Sequence, residues 1–463
     1  MSSEEQRVTE QQGKTHRGRL VRLAYPVYGE LLAGVLAGIV NMVWVARLGG
    51  PAVAAVAVAT NVENLALGLI LMAGSGTTVL VARARGARDP AALRTAVRGG
   101  WALYALLAPA VAVGGWALRE PLASLVLGGG DGPAQRLAAG YFAISLPGLA
   151  VFFAQNLLDG ILKGAGDTRT PMRLAFLGNA LILVLDPLLI FGLCGLPALG
   201  VHGAAWATVA GRSAALAAGL VALRCNGLLR QAATTRPAGR SGRFSALRAT
   251  AATGLPMAAD FTARMAGTLL LVAVVARIGV TSVAAYAIAT KAMYVATMSF
   301  YAVRQAAAIH TAHTLGAGRD GRAAIARQAA LLGAALGALA ALALLAAAPW
   351  VMRAFGARPD IAAAGTAFLR CLGPYLALLG CFIAVGGVFE GAGGSPLMLR
   401  VTLAGTALQL PLAHGLAGFG LPGVCAAMAL AAGLQCLAVL ALSRRFAPPP
   451  AAAERAADRV GAP

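Results

Sequence analysis

The stretch LLGAALGALAALALLAAAPWV, residues 331–351, carries no charged side chain anywhere along its length. A helix needs about 20 apolar residues to cross the hydrocarbon core of a bilayer. Other uncharged runs, Leu31 to Ala46, Leu103 to Leu118 and Val424 to Leu442, approach that length. In lipid such runs have one local solution, the helix, because no water is present to satisfy an open backbone. Composition agrees: charged residues make up 12% of the chain, against roughly 25% in soluble domains. The 58 glycines suit helices that approach closely in lipid. The expected fold is an all-α polytopic membrane protein with about twelve transmembrane helices.

Apolar segments between charged loops place the spans at 23–46, 52–81, 99–118, 137–162, 174–196, 200–223, 250–276, 281–314, 326–350, 362–388, 398–417 and 420–442. The formal net charge is +21, and its distribution separates two explanations. Arg83, Arg85, Arg88, Arg94 and Arg98 crowd one loop, and Arg224, Arg230, Arg236, Arg240, Arg243 and Arg248 crowd the central one. Loops of the opposite side hold only Arg47, Arg119, Arg136, Arg277, Arg353 and Arg358. This is the asymmetry of the positive-inside rule. It predicts a multi-pass protein of the cell's inner (plasma) membrane with both termini cytoplasmic. The basicity then addresses topology and membrane lipids, and no nucleic-acid partner is expected. The six cysteines form no CxxC pattern, so neither a metal site nor a disulfide framework is expected.

The chain also repeats itself. VARLGGPAVAAVAVAT (45–60) aligns without gaps on VARIGVTSVAAYAIAT (275–290), with ten of sixteen positions identical. In the same register Pro26 lies over Pro256 and Glu30 over Asp260, and further on KGAGDT (163–168) answers EGAGGS (390–395). The expected organisation is a cytoplasmic tail (1–19), a six-helix bundle (20–224), a basic cytoplasmic linker (225–247), a second six-helix bundle (248–446) and a cytoplasmic C-terminal tail (447–463). An even number of helices per half gives both halves the same orientation, related by a pseudo-twofold axis along the membrane normal. A substrate site then falls between them near mid-membrane.

These residues resemble the MATE (multidrug and toxic compound extrusion) transporters over nearly the whole chain. The resemblance is carried by Pro26, by NMVWVARLG (41–49), which is similar to the family's D-T-x-x-V-G-R-x-G, and by KGAGDTRTPM (163–172), LDPLLIFG (185–192) and LGVHGAAWA (199–207). It implies two bundles forming a V-shaped cleft, and export of organic compounds in exchange for inward H+ or Na+. An acidic residue before Pro187 makes the chain most similar to the DinF-like branch. Two positions depart from the family pattern: Asn41 stands where the family often has Asp, and Ile182 where it often has Asn. Asn cannot take up a proton near neutral pH, although its amide oxygen can ligate a cation.

Six carboxylates fall in or near the expected spans: Glu30, Glu63, Asp159, Asp186, Asp260 and Glu390. A charge there costs on the order of 3 kcal/mol or more, so such residues face the bundle interior or water and often work. Asp186 leads as the coupling residue, with Asn179 seven residues earlier on the same helical face and Pro187 loosening the backbone beside it. The competing reading makes Asp186 a cap on a broken helix. Glu30, Gly34, Gly38 and Asn41 share one small, polar face of the first helix. Glu30 and Asn41 are therefore expected to assist Asp186, or else Glu30 is an interfacial residue paired with Arg22 or Lys163. Gln155, Asn156, Asp159, Asp260 and Lys291 are the candidates for the substrate cleft; Asp260 alternatively pairs with Arg264, one turn on.

No nucleotide-binding motif occurs, because the glycines of KGAGDT follow no strand and precede no G-K-[ST]. The energy source is then an ion gradient, with no cofactor. The expected function is a secondary active antiporter working by alternating access on small organic substrates, as a monomer. The runner-up is a lipid-linked precursor flippase of the same superfamily, which calls for a strongly cationic cavity. Here six carboxylates accompany Arg212, Arg264, Lys291, Arg304 and Arg370. An enzyme is not expected, since no cluster of His, Cys or Asp marks a membrane face.

Overall fold

The computed structural model of the chain describes residues 3–127, 132–195, 197–225, 240–356 and 358–445. The described residues form helices throughout: α1 (Ser3–Ala46), α2 (Gly50–Gly86), α3 (Pro90–Ala117), α4 (Arg119–Leu127), α5 (Pro133–Gly164), α6 (Arg169–Phe191), α7 (Val201–Cys225), α8 (Arg240–Ala276), α9 (Val280–Gly316), α10 (Arg322–Ala354), α11 (Pro359–Cys371), α12 (Gly373–Ala392), α13 (Ser395–Leu416) and α14 (Gly420–Arg444). All but α4 and α11 are long enough to span a bilayer. The last apolar stretch, Ser395–Arg444, holds both α13 and α14, joined by a single 3-10 turn at Ala417–Phe419. Twelve long helices thus match the number expected from the apolar runs, and the chain is a multi-pass membrane protein.

Three local differences have physical causes. The segment expected as an N-terminal tail continues α1 back to Ser3, because its Glu, Gln and Arg residues are good helix formers that outweigh Gly13 and Gly18, and no proline interrupts it before Pro26. The expected span 362–388 is divided at Leu372 into α11 and α12. Pro374 occupies the first turn of the new helix, where its missing N–H costs nothing. The basic linker lies outside the described residues over 226–239, and α8 already begins at Arg240, inside the expected linker. The C-terminal tail 447–463 also lies outside the described residues.

The helices gather into two compact units. Among the described residues, one comprises those within 25–262 with 316–318, the other those within 3–24, 263–315 and 319–445. The division runs within α1 and α8 instead of at the loop between the two expected bundles. Small residues cause it: Ala246, Thr250 and Gly254 at the start of α8 pack on Gly76, Gly99 and the Met72 carbonyl of α2 and α3. A side chain larger than hydrogen at Gly254 would collide with that carbonyl.

In the first unit α5 is the central helix, with α2, α3 and α7 along its sides and α6 against α7. Gly160 and Gly164 of α5 face Gly74 and Thr78 of α2, which brings the two backbones together. In the other unit α10 lies along α12 through Gly333 and Gly380, and α14 packs against α12 and α13. A tight turn stands at KGAGDT, between α5 and α6. Gly166 takes a left-handed φ of 81°, and the Asp167 carboxylate accepts from the backbone N–H groups of Arg169 (3.2 Å) and Thr170 (3.0 Å). Those two donors have no partner within the first turn of α6. Between α9 and α10, Asp320 is held below the usual carboxylate range by its hydrogen bonds from Arg322.

Candidate ion-coupling site

Asp186 sits in the last turns of α6, one residue before Pro187, and is fully buried. Its Oδ2 accepts a 2.8 Å hydrogen bond from Nδ2 of Asn41 on α1. Its Oδ1 is also buried and has no hydrogen-bond partner among the described residues. The helix continues through Pro187 to a left-handed cap at Gly192, φ 71°. The carboxyl is thus positioned by a neighbouring helix, and it does not cap a broken one. Asn179, half-buried two turns earlier on α6, takes no part in the Asn41–Asp186 contact.

Glu30 lies elsewhere. Eleven residues of helix, about 16 Å, separate it from Asn41. It receives the Lys163 ammonium of α5 at 2.7 Å, with both side chains largely buried. The expected quartet of Asp186, Glu30, Asn41 and Asn179 therefore separates: Asn41 joins Asp186, and Glu30 joins Lys163. Sharing one face of α1 placed Glu30 and Asn41 in line, but three helical turns are too far for one site.

The expected cleft residues also part. Asp159 and Asp260 are buried, at 7% and 1% exposure, in the first unit, so neither is an open lining residue. Gln155 and Asn156 are half-buried on α5, with Asn156 packed on Gly74 of α2. Lys291 belongs to the other unit and is exposed. There Glu390 of α12 is bound by Arg304 of α9 at 2.6 Å, a pair that the repeat does not foretell, since Lys163 is the counterpart of Glu390. In the same unit His16 and His310 meet with ring nitrogens 2.9 Å apart. Among the described residues no group of three or more His, Cys, Asp or Glu is placed to hold a metal ion.

One polar cluster was not foreseen. A small cavity in the first unit is lined by Glu63 of α2, Tyr141 and Ser145 of α5, and Thr208 and Arg212 of α7. Arg212 also stacks on Phe152, its guanidinium 3.9 Å from the ring centre. Tyr141 is buried within electrostatic reach of Glu63, Arg212 and Asp186. The spacing Tyr141, Ser145, Gly148 and the pair Thr208, Arg212 form short helical stripes, a signal that apolar neighbours mask in the sequence.

Helices long enough to span a bilayer, with a fully buried carboxyl joining α1 and α6, define a membrane protein built around ionisable groups in its bundle interior. The family model MatE matches residues 26–188 and again 256–414. The chain belongs to the MATE family, a family of transporters and not of enzymes, and the double match falls on the two repeats. A probable multidrug resistance protein NorM from Deinococcus radiodurans is 28% identical, over 92% of this chain and 94% of its own length. A probable multidrug resistance protein NorM from Thermotoga maritima is 29% identical, but the match spans only 42% of either chain. DNA damage-inducible protein F of Escherichia coli is 31% identical over 44% of each. Among solved structures, a MATE crystallised in complex with MaL6 superposes with a TM-score of 0.83 at 22% identity, covering 93% of this chain and 96% of that one. A MOP superfamily transporter from Pyrococcus furiosus gives 0.82 at 22%, with the same coverage. These superpositions establish the shared fold.

Proposed function

We propose that the chain is a secondary active exporter that moves organic compounds, cationic or amphiphilic, out of the cell in exchange for H+ or Na+. The observation that carries this reading is Asp186: fully buried, held by one amide, with its second oxygen unpartnered among the described residues. A carboxylate in that setting needs a positive charge to balance it, and a proton or a sodium ion on the open oxygen supplies one. The ion shifts the balance between inward- and outward-open states only if it binds one of them better. Substrate release follows that shift, so alternating access needs no cofactor. The relatives' names, probable multidrug resistance proteins, support the substrate class. The arginine asymmetry supports an inner-membrane protein with both termini cytoplasmic.

The test is ethidium efflux from proteoliposomes containing wild type or Asp186→Asn, under a pH gradient and then a Na+ gradient. Extrusion by wild type under one gradient, abolished in Asp186→Asn, is expected and names the coupling ion. Equal efflux by both proteins refutes the assignment of Asp186. Absence of efflux from wild type under either gradient refutes the exporter reading for this substrate class.

A further inference from the structure

Asp159 and Lys163 stand four residues apart on α5 and so face the same way. Glu30 of α1 closes on that lysine at 2.7 Å, and Asp159 lies within electrostatic reach of both. Asp159 is 7% exposed and Lys163 7%. Two carboxylate oxygens here, Oδ1 of Asp159 and Oε2 of Glu30, are buried without a hydrogen-bond partner among the described residues. Among the described residues, Glu30 and Lys163 are the charges that act on Asp159. On this side of α5, α2 presents Gly74 and Thr78, whose hydroxyl is already donated to the Gly74 carbonyl at 2.9 Å. From α6, Met172 packs on Gly29, while Arg173 is exposed. Arg22 of α1 is exposed, and Arg85 of α2 reaches Gly166, beyond the end of α5.

Two carboxylates and one ammonium leave one negative charge uncancelled in a buried place. Folded proteins do not leave such a charge unbalanced: they protonate it or bind a counter-ion. We propose that Glu30, Asp159 and Lys163 form a second monovalent-cation site, filled by H+ or Na+, three helical turns along α1 from Asn41 and Asp186. Lys163 sets its stoichiometry, since the ammonium cancels one carboxylate and leaves room for a single ion. The two sites share α1, so ions bound at both act on one helix. That coupling to transport rests on the exporter reading, whereas occupancy of the site does not.

The test counts ions on the purified full-length protein. Protons taken up per chain are measured in weakly buffered detergent solution between about pH 8 and about pH 5, a window in which an ordinary surface aspartate barely titrates. Radioactive sodium bound per chain is measured at about pH 8. Asp159→Asn is expected to lose one ion in one of the two counts, and which count falls identifies the ion. Lys163→Gln is expected to gain one ion, because two carboxylates then need balancing; a purely structural ion pair would give no gain. Glu30→Gln serves as a second variant that also leaves a neutral pair, and it too loses one ion. Unchanged counts in Asp159→Asn and Glu30→Gln overturn the proposal. Asp186→Asn separates the two readings: if it alone changes the counts, the second site fails. If it changes nothing while Asp159→Asn does, the role assigned to Asp186 fails and the second site stands.

Discussion

Replacing Glu390 with Gln tests how dry the second unit is. Arg304 Nη2 and Glu390 Oε1 are 2.6 Å apart, with side chains only 5% and 7% exposed. Close packing keeps them so: Gly387 and Gly391 of α12 lie against the Arg304 and Ala308 carbonyls of α9, leaving no room for a side chain there. With charge centres about 4 Å apart and an effective dielectric of about 20, the attraction is about 4 kcal/mol. Glu390→Gln removes the counter-charge but not the buried guanidinium, so a loss of about 3–5 kcal/mol is expected. The double change Arg304→Met with Glu390→Leu removes both charges and their desolvation together. It is expected to fall within about 1–2 kcal/mol of wild type, since apolar replacement of a buried pair is often neutral. The coupling energy between the two positions is then about 3 kcal/mol or more. Unfolding in mixed micelles by titrated sodium dodecyl sulfate, followed by circular dichroism, measures Glu390→Gln and the four corners of the cycle: wild type, Arg304→Met, Glu390→Leu and the double variant. A cost below about 1 kcal/mol for Glu390→Gln would match a solvated surface pair and refute the dry α9–α12 contact.

Two further outcomes are expected from the same unfolding assay. Gly333→Ala sets a methyl group against the Gly380 carbonyl where α10 crosses α12, so overpacking should cost about 1–3 kcal/mol. The same change at Gly34, where no neighbouring atom lies within reach, should cost nothing measurable. Asp89 accepts from the Ala91 and Ala92 N–H groups at 2.8 and 3.0 Å at the start of α3. Asp89→Ala should therefore lose about 1 kcal/mol while Asp89→Asn loses little.

The number of spans, their approximate ends and the duplication were legible in the sequence because lipid imposes a one-dimensional demand. Each crossing needs its own run of about 20 apolar residues, and a duplicated half repeats its turns. Thus 331–351 reads as a helix without knowledge of any other segment, and α10 spans it. The end of α6 at Gly192 was not legible, since the expected span ran on to 196. The carboxylates within the spans were legible too, since Asp186, Glu30 and Asp159 stand out against apolar neighbours. Their partners were legible only as alternatives: Asn41 and Glu30 were both set beside Asp186, and Lys163 was one of two cations offered for Glu30. Asn41 and Asp186 are 145 residues apart in the chain, and Glu30 and Lys163 are 133 apart. Sequence spacing records which groups share a face of one helix, and on that basis it placed Glu30 beside Asn41. Which faces meet is decided by how closely backbones approach, through Gly74 on Gly160 in one unit and Gly333 on Gly380 in the other. Helical periodicity places a side chain on its own helix, but only the packing of that helix against its neighbours decides which charge it meets.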